Sequence, residues 1–178
     1  MITVKEVKTK KDIKAFLDFP LELYKNCEYF VPPLYGDEKK MFSKNFVYND
    51  TCESVFFLAE SDGKIAGYAY AGRFKERNAY DWAVETSIYV KKNLRRAGIG
   101  SALLKRLEST LAKQNILNAN ACIAQTDGPD EHLTNASIYF HEKQGYRMAG
   151  KFHDCGYKFN RWYNMVWMEK MLGRHRQN

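Results

Sequence analysis

The 178-residue chain carries a net charge of +7, with 45% hydrophobic and 28% charged residues. That composition, with 12 Tyr and 11 Phe, suits one folded domain with a core and excludes a largely disordered chain. No apolar run reaches the roughly 20 residues of a membrane helix, and no uninterrupted basic run exceeds a pair such as Lys91-Lys92 or Arg95-Arg96, which argues against a nucleic-acid arm.

Ile2 to Val7 alternates apolar and polar residues, the period of a strand. Asp12 to Lys25 carries Ile13, Leu17, Leu21 and Tyr24 at helical spacing, with Pro20 expected to kink or split it. Val31-Pro32-Pro33 predicts a loop, and Asp37 to Phe42 a short helix. Ser54 to Glu60 and Ile65 to Gly72 read as strands joined by Asp62-Gly63, a hairpin signal. Trp82 to Val90 is a further strand. Gly98 to Gln114 is an amphipathic helix with Leu103, Leu104, Leu107 and Leu111 on one face. Asn118 to Ala124 is a strand, and Leu133 to Lys143 a helix stopped at Gly145. Tyr146 to Phe152 and Trp162 to Met168 read as two last strands, with disorder expected only over Arg174 to Asn178. Met1 to Lys14 lacks an apolar stretch of signal-peptide length, so a cytoplasmic location is the expectation. Cys27, Cys52, Cys122 and Cys155 are scattered and read as reduced thiols.

The sharpest local feature is the stretch from Val90 to Gly100, set between a strand and a helix. Gly98 and Gly100 let the backbone approach a ligand closely. The helix start adds N–H groups and a positive dipole end, which together suit a pyrophosphate. Lys91, Lys92, Arg95 and Arg96 place further positive charge beside it. The same spacing also fits a tight strand–helix turn with a solvated basic rim. Neither G-x-x-x-x-G-K-[ST] nor the dinucleotide G-x-G-x-x-G is present here.

Val90 through Gly100 fits V-x(4)-[QR]-x-x-G-x-[GA] and resembles the acyl-CoA signature of the GNAT superfamily of N-acetyltransferases. Asn135 to Tyr146 resembles that family's penultimate helix and following strand. The segments Gly67 to Gly72, Lys75 to Trp82, Glu85 to Val90, Phe140 to Glu142 and Gly156 to Trp162 are similar to the phosphinothricin (methionine sulfoximine) branch. Tyr24 to Asn49 does not share that likeness. Where the family carries Asn seven positions before the His, this chain has Thr134, with Asn135 one later.

The resemblance implies an α+β GNAT fold, with a central mixed, mostly antiparallel sheet of about six to seven strands flanked by about four helices. It implies one domain over residues 1–172 and a basic tail over 173–178. Acetyl-CoA would be the co-substrate, with no metal. The coenzyme would lie against Ile88, Tyr89 and Val90, against the turn residues Arg95, Arg96, Ala97 and Gly98, and against Ile99, Gly100 and Ser101 of the next helix. Asn135 and Ser137 would flank it, although capping a helix would also explain both. The expected partners are acetyl-CoA, a small amine acceptor and a second copy in a homodimer, with neither nucleic acid nor membrane. A peptide, protein or polyamine amine remains an alternative acceptor. So does a non-catalytic acyl-CoA-sensing or nucleic-acid-binding module.

Acetyl transfer needs a neutral amine, a polarised thioester carbonyl and a protonated leaving thiolate. Glu85 sits among Trp82, Val84, Ile88 and Tyr89, where partial burial would raise its pKa toward that of a useful base. The resemblance assigns it that role. His141 takes the place of a Tyr found in many relatives and could serve either half of the proton transfer. The resemblance also implies that backbone N–H groups near Tyr89 or Val90 hold the carbonyl oxygen. Lys75 and Arg77, two apart, would point the same way in an extended segment and suit an anionic group on the acceptor; the resemblance implies that they line the acceptor pocket together with Tyr80.

Overall fold

The computed structural model describes residues 1–32, 34–43, 45–46 and 54–175. Pro33 of the expected loop, Cys52, part of the 24–49 stretch and residues 176–178 of the tail lie outside them. The described residues form seven strands and four α-helices. In order these are β1 (Ile2–Glu6), α1 (Lys10–Leu23), α2 (Tyr35–Lys40), β2 (Phe57–Ser61), β3 (Lys64–Arg73), β4 (Ala83–Val90), α3 (Ile99–Lys113), β5 (Asn118–Gln125), α4 (Ala136–Lys143), β6 (Arg147–Lys158) and β7 (Arg161–Met171). The strands make one sheet in the order β1-β2-β3-β4-β5-β7-β6. β4 and β5 run parallel, as a return through a helix requires. The pairs β1/β2, β2/β3, β5/β7 and β6/β7 are antiparallel, so the sheet is mixed and mostly antiparallel as expected.

Two compact units divide the chain: Met1–Tyr70 with Ile88–Leu107, and Ala71–Ser87 with Glu108–Asn178. In the first, α1 opens with a capping box. Thr9 Oγ1 accepts from the Asp12 amide at 3.1 Å, and the Thr9 amide donates to Asp12 at 3.0 Å. The helix runs unbroken past Pro20, so the expected split does not occur. An interior proline costs about 3 kcal/mol. Phe16, Leu17 and Phe19 are buried against Leu58 and Tyr68, at roughly 1.5–3 kcal/mol each, which outweighs that cost. Asp62 and Gly63 turn with φ of 50° and 75°, the predicted hairpin turn. On α3, Leu103, Leu104 and Leu107 form the predicted apolar stripe and are fully buried. A Cβ at Gly67 would stand 2.6 Å from the Tyr89 carbonyl oxygen, so only glycine lets β3 lie this close to the end of β4.

In the second unit, Ala119, Ala121 and Ile123 of β5 and Val166 and Met168 of β7 form the buried row of the sheet. The α4 helix begins at Ala136, three residues later than the sequence suggests. Asp130 takes the amides of His132 (2.7 Å) and Leu133 (2.8 Å), holding them out of a helix. The helix ends as predicted at Gly145, whose φ is +89°. The Tyr146 amide returns to the His141 carbonyl (3.0 Å) and the Gly145 amide to Glu142 (2.9 Å), the paired bonds of a Schellman cap. Strands β6 and β7 exceed their expected lengths. They meet at Phe159-Asn160, both at positive φ (55° and 56°), a hairpin turn without the glycine that would have announced it.

Candidate active site

In the first unit the stretch between β4 and α3 folds as a sharp turn. Arg96 and Gly98 adopt φ of +66° and +85°, and Ile99, only 1% exposed, anchors the helix behind them. The first helical bond runs from the Ala102 amide to the Gly98 carbonyl at 3.0 Å. The first-turn amides and the positive dipole end of α3 therefore start at Gly98 and Gly100, the arrangement suited to a phosphate. Arg95, Arg96 and Ala97 are exposed beside it; Ser101 is half-buried. Lys91 departs from the expectation. Its ammonium pairs with Glu22 at 2.7 Å and lies 5.5 Å over the Phe19 ring, so it fastens α1 instead of lining the turn.

Ile88, Tyr89 and Val90 are half-buried at the end of β4. The Tyr89 ring stacks on Tyr68 (4.7 Å, 9°) and meets Tyr24 edge-on at 6.5 Å. Burial pushes the Tyr68 phenol well above its usual range, and burial also raises that of Tyr24. Both stay protonated, so this wall of the unit adds no negative charge near a polyanion.

In the second unit Glu85 is half-buried on β4, opposite Asn120 in the parallel register with β5. Glu85 thus shares a sheet face with Ala83, Asn118 and Asn120, while Val84 and Thr86 point into the core. Asn120 is held there by Nδ2 donating to the Val84 carbonyl at 3.2 Å, and Thr86 Oγ1 donates to the Asn120 carbonyl at 3.0 Å. The same face carries Cys122, two residues on, and its cross-strand neighbour Trp167. Burial pushes the Cys122 thiol up, the Glu85 carboxylate adds to that, and Lys75 opposes it. Cys122 and Trp167 were not singled out for this site from sequence. Alternation along β5 and β7 was the available signal, but it needs the register to connect it to Glu85.

Lys75 and Arg77 do not lie in an extended strand. β3 ends at Arg73, where the guanidinium pairs with Asp81 at 2.6 Å and closes the excursion. Arg77 precedes a short 3-10 turn over Asn78–Tyr80, and both cations are exposed. The Lys75 ammonium stands 5.1 Å over the Phe74 ring and 5.8 Å over Trp167. A cavity of about 390 Å³ is lined by Phe74, Tyr80, Trp82, Asn118, Asn120, Trp167 and Glu169 among others. The structure thus brings Lys75, Tyr80 and the Glu85 face to one region of this unit.

His141 is buried on α4, 7% exposed. Its Nδ1 lies 2.7 Å from the Ser137 carbonyl oxygen. A carbonyl only accepts, so Nδ1 carries the proton and Nε2 holds a lone pair in the neutral ring. Burial lowers the His141 pKa; the Ser137 bond and the Glu108 carboxylate oppose that in part. Asn135 stands at the helix N-cap, but its side chain does not cap. It clasps Thr126 instead: Oδ1 accepts from the Thr126 amide (3.1 Å) and Nδ2 donates to its carbonyl (2.9 Å). The extended segment between them is pinned by Asp130, whose carboxylate takes Arg161 at 2.5 Å and the Tyr163 hydroxyl at 3.1 Å. Burial works to raise the Asp130 pKa, yet these partners and the His132 and Leu133 amides together hold it well below the usual range.

Two solved structures that the chain resembles are acetyltransferases. The chain matches an N-acetyltransferase from Staphylococcus aureus Mu50 at TM-score 0.77 and 27% identity, over 97% of this chain and 99% of that one. It matches a GNAT superfamily phosphinothricin acetyltransferase from Sinorhizobium meliloti, solved with AcCoA, at TM-score 0.77 and 26% identity, over 97% and 89%. The family profile for the acetyltransferase (GNAT) domain covers residues 9–167, and the chain belongs to that family. Among curated relatives, a phosphinothricin N-acetyltransferase of Streptomyces viridochromogenes is 35% identical over 115 residues, 65% of this chain and 59% of that protein. An L-methionine sulfoximine/L-methionine sulfone acetyltransferase of Salmonella typhimurium is 28% identical over 120 residues, 66% and 65% of the two. The matched part spans 56% to 62% of the length of the phosphinothricin N-acetyltransferases.

Proposed function

We propose that the protein transfers an acetyl group from acetyl-CoA to the primary amine of a small amino-acid-like acceptor, of the phosphinothricin or methionine sulfoximine kind. The observation that carries this reading is the turn into α3, with positive φ at Arg96 and Gly98 and exposed arginines beside the helix start. It would take the diphosphate of the coenzyme through main-chain amides. Ile88, Tyr89 and Val90 would border the thioester, and Asn135 and Ser137 are further proposed coenzyme contacts.

Glu85 takes a proton from the acceptor ammonium, and the freed amine attacks the thioester carbonyl. The tetrahedral intermediate gives up the second nitrogen proton and collapses; that proton goes to the departing coenzyme thiolate, leaving an amide and free coenzyme. The neutral His141 ring presents a lone pair at Nε2, so it accepts a proton before it can return one to the thiolate. Lys75 and Arg77 pair with the acceptor's carboxylate or phosphinate, and Tyr80 borders its side chain. Thiol-release assays with acetyl-CoA against amino acids, methionine sulfone, methionine sulfoximine and polyamines test this. Turnover with the sulfone or sulfoximine supports it, and turnover with polyamines alone replaces the acceptor class. The same reading makes the protein cytoplasmic, homodimeric and a single catalytic domain over residues 1–172, which gel filtration and limited proteolysis test.

A further inference from the structure

Behind His141 lies a polar cluster that the acetyl-transfer chemistry does not use. Lys170 Nζ meets Glu108 Oε2 at 2.6 Å, with the two side chains 26% and 14% exposed. The same ammonium lies 5.8 Å over the Tyr146 ring, and that ring meets the His141 ring edge-on at 5.1 Å and 84°. The Lys170 stem passes the end of α4, where a Cβ at Gly145 would lie 3.7 Å from its Cε. Glu108 Oε1 and the Tyr146 hydroxyl are both buried. Burial raises the Tyr146 phenol, Thr86 opposes that, and the Glu108 carboxylate adds to it.

Such a cluster is a poor way to hold a fold together. A mostly buried ion pair regains little more than its desolvation cost, and two apolar side chains of similar volume would pack the same space at equal or better stability. The cost is understandable if the pair acts on a neighbour, and the buried titratable ring next to it is His141.

We infer that Glu108 is a positioning residue that, with Lys170 as its counter-ion and Tyr146 as the spacer, sets the proton affinity of His141. The charged group that acts on His141 from another element is Glu108 of α3, which Lys170 of β7 pairs; Tyr146 presents its ring to the imidazole. On its own helix Glu142 and Lys143 are exposed and screened by solvent. The Glu108 charge favours the imidazolium and so offsets part of the burial that disfavours it. Lys170 limits that effect by neutralising the carboxylate. The inference rests on the reading of His141 as a proton-transfer group only for its consequence, not for the electrostatic coupling itself.

The test is an NMR titration of the His141 ring nitrogens in the full chain, for wild type, Glu108→Gln and Lys170→Gln. Glu108→Gln keeps the shape, removes the charge, and should move the His141 midpoint down by roughly one unit. Lys170→Gln strips Glu108 of its counter-charge and should move it up. If His141 is also the proton carrier, the acid limb of kcat/KM follows in the same directions. Midpoints within about 0.2 unit of wild type in both variants overturn the inference. If Glu108→Gln fails to fold, Lys170→Gln alone decides, an upward shift supporting the coupling and no shift refuting it. Failure of the acetyltransferase reading is seen separately, as an absence of turnover that leaves these midpoints in place.

Discussion

The β4–α3 turn of the first unit and the surroundings of Glu85 and of His141 in the second are built from different materials. The turn is made of main chain: positive φ at Arg96 and Gly98, helix amides, and exposed arginines that need no fixed partner. The surroundings of Glu85 and those of His141 are made of side chains held by carbonyls, as Asn120 is on Val84 and His141 on Ser137. A backbone site tolerates changes of side chain but not of dihedral angle. A side-chain site behaves in the opposite way, and substitutions can separate the two.

The largest expected effect is on the side-chain site. Glu85→Gln should lower kcat by about 10² to 10⁴, the range for losing a general base, while calorimetry finds coenzyme affinity little changed. Full turnover in that variant would remove Glu85 from the mechanism. On the backbone site, Gly98→Val forces a branched residue to φ +85°, a strain of about 1–3 kcal/mol, and should weaken coenzyme binding roughly tenfold. The maximal rate at saturating coenzyme should change less, and a pure kcat defect would break the contrast. Gly67→Ala sits between the two cases. Its Cβ would meet the Tyr89 carbonyl at 2.6 Å, so the melting temperature should fall by several degrees, with coenzyme KM raised.

Smaller effects come from residues that hold the second unit's loops. Asp130→Asn removes the charge that Arg161, Tyr163 and two amides gather around, and should lower the melting temperature by roughly 3–6 °C. The smallest is a pH effect on stability. Burial lowers the His141 pKa below the 6.5 of an unperturbed ring, so the folded chain binds that proton less tightly than the unfolded one. The resulting stability is fully present above about pH 6.5 and falls as the pH drops toward the depressed value. Replacing His141 with Gln should flatten the melting temperature over that window.

The same contrast explains what could be read without coordinates. The turn was legible because Gly98 and Gly100, the arginines and the following leucine stripe are local in sequence. The Asp62-Gly63 hairpin and the Gly145 cap were legible for the same reason. Three departures came from tertiary terms. The α1 helix continues through Pro20 because its aromatic face is buried. The start of α4 is delayed because Asp130, held by Arg161 and Tyr163 from 31 and 33 residues away, accepts from the His132 and Leu133 amides. Lys91 turns to Glu22, 69 positions earlier. Cys122 and Trp167 join the Glu85 face only through strand register, and the Glu108–Lys170 pair joins residues 62 apart. No local pattern announces contacts of that range.

Isothermal calorimetry of the full chain with acetyl-CoA, run beside Gly98→Val, bears most directly on the β4–α3 turn as a coenzyme site. The account predicts saturable binding by the wild type that weakens as salt screens the arginines, and a roughly tenfold loss in the variant. No heat with any coenzyme A thioester, or equal affinity in the two proteins, would contradict it.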